Sequence, residues 1–373
     1  MNKIFTSGKT RERQKGVTLV ELMISLLLGL LLTAGIIQVF AGNRVTYAFN
    51  DGLSRIQESA RFSLDHIAYN ARMAGYSGCL SDVAIHNNLD APNTFRDDIE
   101  NGILGHDANG TGNDDEFAAL ATNPAPSTNP NAWTPALPAE LGNSVIPGSD
   151  VLIVRGVSGT TNSLVSPFNS PTELVTAEPH DFLEGEILVV SDCQKASLFQ
   201  LTDVTGAGGA VQLVHGDTAG FAPGNDAAAW DAEQDYGLGS EIGRLQTYAF
   251  YVGQGDDGRP SLFQLRLVRQ SGTSSAFVPE ELVAGIETMQ VRYGLDGDSN
   301  GAIDSIVTAD VVADWSTVVS VEITLLARAT EEYGAEIDTV TYNVGGTTQF
   351  NPLNDRRLRQ VFSTTIGVRN RLP

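Results

Sequence analysis

The sequence predicts an α+β protein in which a long N-terminal helix packs on an antiparallel β-sheet domain with long loop insertions. Three observations predict this class: a charge-free apolar run near the amino terminus, a helical apolar stripe directly after it, and strand-like alternation from about residue 79 onward. We divide the chain into a basic leader at 1–16, an apolar helix at 17–43, its amphipathic continuation at 44–75 and a β-rich globular domain at 76–373.

Charge is distributed unevenly along the chain. The 373 residues include 23 Lys and Arg against 45 Asp and Glu, a net charge of -22. An acidic protein of this kind repels phosphate backbones, so nucleic-acid binding is not expected. The leader is the exception, because it carries five basic residues against the single acid Glu12.

The apolar run after the leader predicts a membrane-spanning helix. Residues 22–43 contain no Lys, Arg, Asp or Glu. A helix of that length spans roughly 33 Å, enough for a bilayer core of about 30 Å. The basic leader then orients the amino terminus toward the cytoplasm and the remainder toward the periplasm.

Glu21 interrupts this apolar segment and needs an explanation. An unpaired carboxylate within a bilayer costs about 2.5 kcal/mol or more. A secretory signal peptide would end in a small-residue cleavage pattern that Ala34 and Ala41 do not supply, and a plain signal anchor leaves Glu21 unexplained. Cleavage between Gly16 and Val17 would instead create an ammonium group that pairs with Glu21 of a neighbouring subunit.

The helix is expected to continue beyond the apolar run. Apolar side chains recur at helical spacing, and Gly75 is placed to end the helix; the stripe comprises Val45, Phe49, Leu53, Ile56, Ala60, Leu64, Ile67 and Ala71. The whole helix would be about 57 residues long, or roughly 85 Å. Gly29, Gly35 and Gly42 either let neighbouring helices approach closely or are ordinary membrane-helix glycines.

Seven segments after Cys79 read as strands of a half-exposed sheet: 151–155, 186–191, 247–252, 262–269, 288–293, 320–329 and 360–369. Two long stretches, the proline-containing 105–148 and the Gly- and Ala-dense 205–243, predict mobile insertions. Cys79 and Cys193 can form at most one bridge. Both lie on the predicted periplasmic side, where a disulfide is expected and two buried thiols are the alternative.

One loop resembles the start of a calcium-binding loop. Asp296, Asp298, Asn300, the Ala302 carbonyl and Asp304 occupy its ligand positions, with Gly301 at the turn. Position 12 is Val307 rather than the usual bidentate Glu, so Asp310 or water would have to substitute. The alternative is a hairpin turn with no metal, and we expect a second acidic loop, 107–116, to be solvated.

No catalytic constellation is present in the sequence. The five histidines show no metal-like spacing, and no H-E-x-x-H motif occurs. We therefore expect a protein that is not an enzyme and requires no cofactor, with calcium as the one candidate ion.

The segment from Lys15 to Glu21, Lys-Gly-Val-Thr-Leu-Val-Glu, resembles the processing site of type IV pilins and type II secretion pseudopilins. The resemblance implies cleavage by a prepilin peptidase after Gly16, N-methylation of Val17 and an assembly role for Glu21. Val17 departs from the Phe that is usual in that family. Stretches at 71–79, 191–193, 293–304, 321–329 and 362–371 are similar to the PilW family of minor pilins.

That resemblance implies a minor pilin that co-assembles with other minor pilins to prime type IV pilus assembly and then sits at the pilus tip. Implied partners are the major pilin, a tip adhesin, the prepilin peptidase and the inner-membrane assembly platform, and implied processes are twitching motility, adhesion and DNA uptake. Two alternatives stay open: a J-like minor pseudopilin of a type II secretion system, and a periplasmic binding module on a membrane anchor.

Overall fold

The computed structural model describes residues 16–78, 84–159, 161–166, 172–207, 209–226, 228–231, 233–333 and 336–371. Its internal contacts divide the chain into two units, residues 1–51 and 52–373. Each unit is described by itself.

A single helix, α1, runs from Leu19 to Arg72 over 54 residues, which confirms the predicted long helix. It ends in a turn that requires glycine: Gly75 has a φ of 72°, and its N–H donates to the Arg155 carbonyl at 2.8 Å. The helix therefore stops where the Gly75 N–H takes a strand carbonyl as its acceptor, while the N–H groups of Met73, Ala74 and Tyr76 bond locally.

In the second unit, the part of α1 from Gly52 onward buries one face. Ile56, Ala60, Ile67 and Ala71 are at most 3% exposed, and Leu64 packs beside them. Their spacing places them on one side of the helix, as the stripe predicted. Complete burial of an aliphatic side chain of this size contributes about 1.5–3 kcal/mol, so this face stabilises the fold strongly.

The described part of the second unit also contains one short α-helix, five 3-10 helices and twenty strands. Helix α2 is Thr94–Asp97. The strands are β1 Ala84–Asn87, β2 Ile103–Ala108, β3 Glu116–Ala118, β4 Trp133–Thr134, β5 Val151–Val157, β6 Asn162–Ser163, β7 Glu173–Ala177, β8 Ile187–Ser191, β9 Lys195–Gln200, β10 Asp203–Ala207, β11 Ala210–Val214, β12 Glu241–Gln254, β13 Pro260–Ser271, β14 Ser274–Ala284, β15 Ile286–Leu295, β16 Ser305–Val307, β17 Val318–Glu332, β18 Tyr342–Gly345, β19 Thr348–Asn351 and β20 Arg357–Gly367.

These strands form four sheets. Ten strands make the largest, in the order β1-β9-β8-β12-β5-β2-β4, with β6 and β13 also paired to β12 and with β14 paired to β13. A four-stranded sheet has the order β16-β15-β17-β20, and two three-stranded sheets are β10-β11-β7 and β18-β19-β3. Pairing is antiparallel except for β1 with β9 and β3 with β19, so the predicted α+β class with a mostly antiparallel sheet is confirmed.

The main core lies between the buried face of α1, the four-stranded sheet and the middle of the ten-stranded sheet. Phe250 of β12, Val291 of β15 and Leu325 of β17 are at most 1% exposed there. Strand β17 is buried along most of its length because α1 packs in the core on one side, while Val344 and Phe350 cover Leu326 on the other.

The two stretches predicted to be mobile insertions are instead built into the fold. Residues 105–148 contribute most of β2 with β3 and β4, and they bury Trp133 and Leu141 in a second core. The described part of 205–243 contributes β11 and buries Tyr236 in a third hydrophobic core. The prediction was wrong because Gly and Pro content reports backbone geometry, whereas a few large apolar side chains decide whether a segment packs.

Candidate functional site

The predicted processing site lies in non-helical backbone just before α1. Gly16 and Val17 are exposed, and an atom added at the Gly16 Cβ position would meet nothing within 4 Å. The helix begins only at Leu19, so the peptide bond between Gly16 and Val17 is not held in helical hydrogen bonds. A peptidase must bind extended backbone, and this bond is accessible in that form.

Thr18 and Glu21 form the start of the helix together. The Glu21 N–H donates to the Thr18 side-chain oxygen at 3.3 Å, and the Leu22 N–H donates to the Thr18 carbonyl at 3.1 Å. Thr at the N-cap with Glu three residues later is the capping-box pattern. The Glu21 carboxylate also lies in the first turn, where the helix dipole favours a negative charge by about 0.3–1 kcal/mol. Sequence reasoning missed this cap, although the T-x-x-E spacing signals it.

The first unit presents an apolar surface. An 18-residue window of α1 has a mean hydropathy of 2.3 and no buried residues, so α1 is long and apolar enough to cross a membrane. The hydroxyls of Ser25, Thr33 and Thr46 donate to the carbonyls of Glu21, Gly29 and Gly42 at 2.7, 2.7 and 3.1 Å. These bonds pair polar donors inside the helix, as an apolar surrounding demands.

The acidic loop between β15 and β16 brings three predicted ligands together. Carboxylate oxygens of Asp296, Asp298 and Asp304 lie within 4.8 Å of one another. The same oxygens also accept hydrogen bonds within the loop: Asp296 from the N–H groups of Asn300 and Gly301 at 3.1 and 2.7 Å, and Asp304 from Gly297 at 2.8 Å. Burial raises the pKa of Asp296, but those N–H bonds outweigh it and the pKa lies below its ordinary range.

The remaining predicted calcium ligands are arranged less favourably. Asn300 accepts from the Ala302 N–H at 2.8 Å, which turns that oxygen toward the backbone. Val307 is in β16, paired with Tyr293, and Asp310 is outside the carboxylate group, with its oxygen bonded to the Thr308 hydroxyl at 2.5 Å. Asp310 is therefore not grouped with the other three carboxylates here, and calcium binding stays a prediction.

The predicted disulfide involves Cys79, which lies outside the described residues, so that bridge also stays a prediction. Cys193 lies between β8 and β9 with a φ of 71°, and its sulfur is not a free thiol.

The second acidic loop is not solvated at its first residue. Asp107 is 4% exposed, and burial, with Asp310 and Asp115 nearby, raises its pKa to about 7. Asp150 accepts from the N–H groups of Ala108 and Val291 at 2.9 and 2.8 Å; burial and then Asp107 hold its pKa well above the ordinary range. Asp150 thereby ties β2 to β15, a structural role that spacing alone did not signal.

The described residues contain no other cluster of metal-ligating side chains. The histidines are dispersed, and His215 is 1% exposed, within 4.8 Å of Phe199 and 4.3 Å of Trp230 between ring centroids. Burial lowers the pKa of His215 to about 3, so it is a neutral core residue near pH 7.

Comparison with known proteins gives matches at both ends of the chain. Residues 249–370 match the family described as Type IV Pilus-assembly protein W, and residues 11–37 match the prokaryotic N-terminal methylation motif. Among solved structures, a type IV-like pilin from Thermus thermophilus is 19% identical, with 51% of this chain and 87% of that chain covered and a TM-score of 0.23. No curated protein matches the sequence.

Proposed function

Because this chain is a type IV pilin-like protein of the PilW family, we propose that it is a minor pilin that co-assembles with other minor pilins, primes pilus assembly and lies at the pilus tip. The observation that carries the proposal is the combination of an exposed Gly16–Val17 bond with the first half of α1 directly after it, whose large apolar side chains are exposed. A surface of this kind needs either lipid or other apolar helices around it.

Processing would supply the positively charged partner that the Glu21 carboxylate lacks. Cleavage after Gly16 leaves an amino group at Val17, which the family's methylation keeps cationic. Glu21 lies in the first turn of α1, so a neighbouring helix displaced by about one turn brings its amino terminus level with this carboxylate. Away from water such a pair specifies register between subunits as well as affinity.

The proposed location follows from the same surface. Before assembly the first half of α1 lies in the inner membrane and the second unit in the periplasm; afterwards that half of the helix joins the filament bundle. The proposed partners are other minor pilins, the major pilin, a tip adhesin, the prepilin peptidase and the inner-membrane assembly platform. A filament subunit needs no catalytic centre, and we propose that the chain is not an enzyme.

The first test is the amino terminus of the protein purified from its native host. The leader holds three of the four lysines, and Lys195 is the fourth. A processed chain therefore begins at a methylated Val17 and contains one lysine, whereas a chain with an intact anchor begins at Met1 and contains four. The second result would contradict the proposal and favour a tethered binding module.

The second test replaces Glu21. Glu21→Ala removes the carboxylate and is expected to leave membrane insertion and cleavage intact while reducing recovery in sheared filaments by about tenfold or more, the loss of one desolvated charge pair. Glu21→Asp is the matched control, since it keeps the charge and is expected to retain part of the assembly. Equal recovery of wild type and Glu21→Ala would rule out the pairing.

The pilus and secretion alternatives share the processing site and differ in their assemblies. The family match is to a pilus-assembly protein, which favours the pilus over the J-like pseudopilin. Deletion of the gene should abolish surface pili and leave secretion of folded exoproteins unchanged; the reverse result would favour the pseudopilin.

A further inference from the structure

The described sheets end in strands of two kinds. Most edge strands are short, with at most five residues in β1, β3, β4, β7, β10, β16 and β18. The longer edge β14 has 11 residues and carries Pro279, Glu280 and Glu281. Short length, proline and charge are the features by which proteins prevent edge-to-edge pairing.

Strand β20 is the exception among the described edges. It also has 11 residues, but residues 360–367 contain neither proline nor charge and read Gln-Val-Phe-Ser-Thr-Thr-Ile-Gly. Ser363 and Thr365 are exposed, and β20 pairs on one side only, with β17. A long, uncharged edge rich in β-formers is an aggregation hazard unless another strand covers it.

The backbone groups on the open side of β20 can be identified from its ladder. The Val368 N–H donates to the Val319 carbonyl at 2.9 Å, and the next pair is Gly367 with Ser320. Because hydrogen-bonded and non-bonded pairs alternate in an antiparallel ladder, Val361, Ser363, Thr365 and Gly367 direct their N–H and C=O groups away from β17. Within the described chain, no hydrogen bond to these outward groups occurs.

We propose that this open edge of β20 binds an extended strand of a neighbouring pilin subunit, one with an uncharged middle and acidic residues at its ends. This inference rests on the proposed function, because it needs a co-assembling subunit. The four outward residues supply about eight backbone hydrogen bonds to an added strand.

Charge selects the partner. Exposed Arg356 and Arg369 flank β20 at its two ends. A second copy of β20 would bring the same two arginines, and no exposed acid, to the ends of the added strand, so it gains no favourable charge pair there. A strand with Asp or Glu at both ends pairs favourably with the same two arginines, so an acidic-ended strand is favoured over a second copy.

The first experiment is site-specific photocross-linking in the native host. Benzoylphenylalanine at position 365 of the full chain is expected to cross-link to one other pilin, and mass spectrometry should place the cross-link in an extended segment with acidic flanks. Val278 in β14 is the matched control position, where no such cross-link is expected. A cross-link at 365 to a second copy of this chain, to a helix, or to no protein would overturn the proposal.

The second experiment removes one outward donor. Thr365→Pro deletes an N–H that β17 does not use and is expected to lower co-recovery with the cross-linked subunit about tenfold, while Thr365→Val keeps the N–H and should behave as wild type. Arg369→Glu leaves the ladder intact and should lower co-recovery by a smaller factor than Thr365→Pro does. Arg369→Lys keeps the positive charge and should leave co-recovery at the wild-type level.

The proposed function and this inference fail in different ways. If wild type is unprocessed or absent from filaments, the proposed function fails. If wild type is present in filaments and Thr365→Pro and Arg369→Glu are recovered at the wild-type level, only the β20 inference fails. Protease resistance of the full-length variants checks that they are folded. If Thr365→Pro is misfolded and Arg369→Glu is recovered at the wild-type level, the β20 inference also fails.

Discussion

The two halves of helix α1 show how one secondary structure serves two environments. From Leu19 to Asp51 the large apolar residues are exposed, whereas from Gly52 to Arg72 one face is buried in the core of the globular unit. The second half obtains its stability from the chain itself, as most protein helices do. Within residues 16–51, which the structure describes, the large apolar side chains of the first half are exposed, and in the proposed function lipid or other subunits supply their packing.

The largest expected difference between the halves is in core packing. Ile67→Ala empties a site that is 0% exposed and should reduce the free energy of unfolding by about 2–5 kcal/mol. Ile37→Ala, at a residue 62% exposed, should change it by less than about 0.5 kcal/mol. Denaturant unfolding of the full chain in detergent, followed by fluorescence of Trp133, Trp230 and Trp315, measures both. A comparable loss for Ile37→Ala would show that the first half is stabilised by contacts within the chain.

The second prediction concerns pH and applies to the globular unit alone. Because burial lowers the pKa of His215 to about 3, the unfolded chain binds more protons between about pH 6.5 and 3, and stability falls as pH decreases through that range. Asp107, with its pKa raised to about 7, acts in the opposite direction: the native state holds the proton, so stability rises as pH falls from about 7 toward 4.

Variants separate the two contributions. The wild-type His215 lowers the free energy of unfolding by up to about 1.4 kcal/mol for each pH unit of acidification, and His215→Leu should remove this loss. Asp107 raises the free energy of unfolding as pH falls, and Asp107→Asn should remove that gain. The measurement is the unfolding midpoint in denaturant at several pH values. An unchanged pH profile in His215→Leu would mean that His215 is protonated in the native state.

The third prediction compares glycines from the two halves. A Cβ atom at Gly52 would lie 2.8 Å from the Tyr333 ring, whereas one at Gly42 would meet nothing within 4 Å. Gly52→Ala gains about 1 kcal/mol of helix propensity but incurs about 1–3 kcal/mol of overpacking, so a net loss of about 1 kcal/mol is expected. Gly42→Ala should leave the unfolding midpoint of the globular unit unchanged, and a stabilised Gly52→Ala would show that Tyr333 moves aside freely.

The smallest expected effect is that of calcium. The Asp296 loop is already hydrogen-bonded and lacks a bidentate ligand at its twelfth position, so a bound ion would add little to its order. We expect millimolar calcium to raise the melting temperature of wild type by a few degrees at most and not to affect Asp298→Ala. A large shift that survives in Asp298→Ala would place the ion elsewhere.

Much of the fold was predictable because its signals are local and repeated. All seven predicted strands correspond to observed strands, although β12, β15 and β17 extend beyond the predictions. Their ends were missed because pairing partners determine how far a strand continues. The packed regions at 105–148 and 205–243 were missed because burial of single residues such as Trp133 depends on contacts distant in sequence.

The functional site also has features that the sequence predicts locally and features that depend on contacts between distant residues. The cleavage motif and Glu21 are contiguous in sequence, and the structure places them in accessible backbone and in the first helical turn. The burial of Asp107 and Asp150 depends on β2, β5 and β15 meeting in space, and no spacing rule reports that. The open edge of β20 also became visible only once the strand order was known.

The hydroxyl groups of Ser25, Thr33 and Thr46 have a consequence for the proposed transfer of the first half of α1 from bilayer to filament. Each is already bonded to a carbonyl one turn earlier, so it demands no acceptor from either surrounding and none is lost on transfer. Between Leu19 and Gly42, Glu21 and Gln38 are then the polar side chains whose solvation would change in the proposed transfer. The rest of the segment would exchange hydrocarbon contact for contact with neighbouring helices.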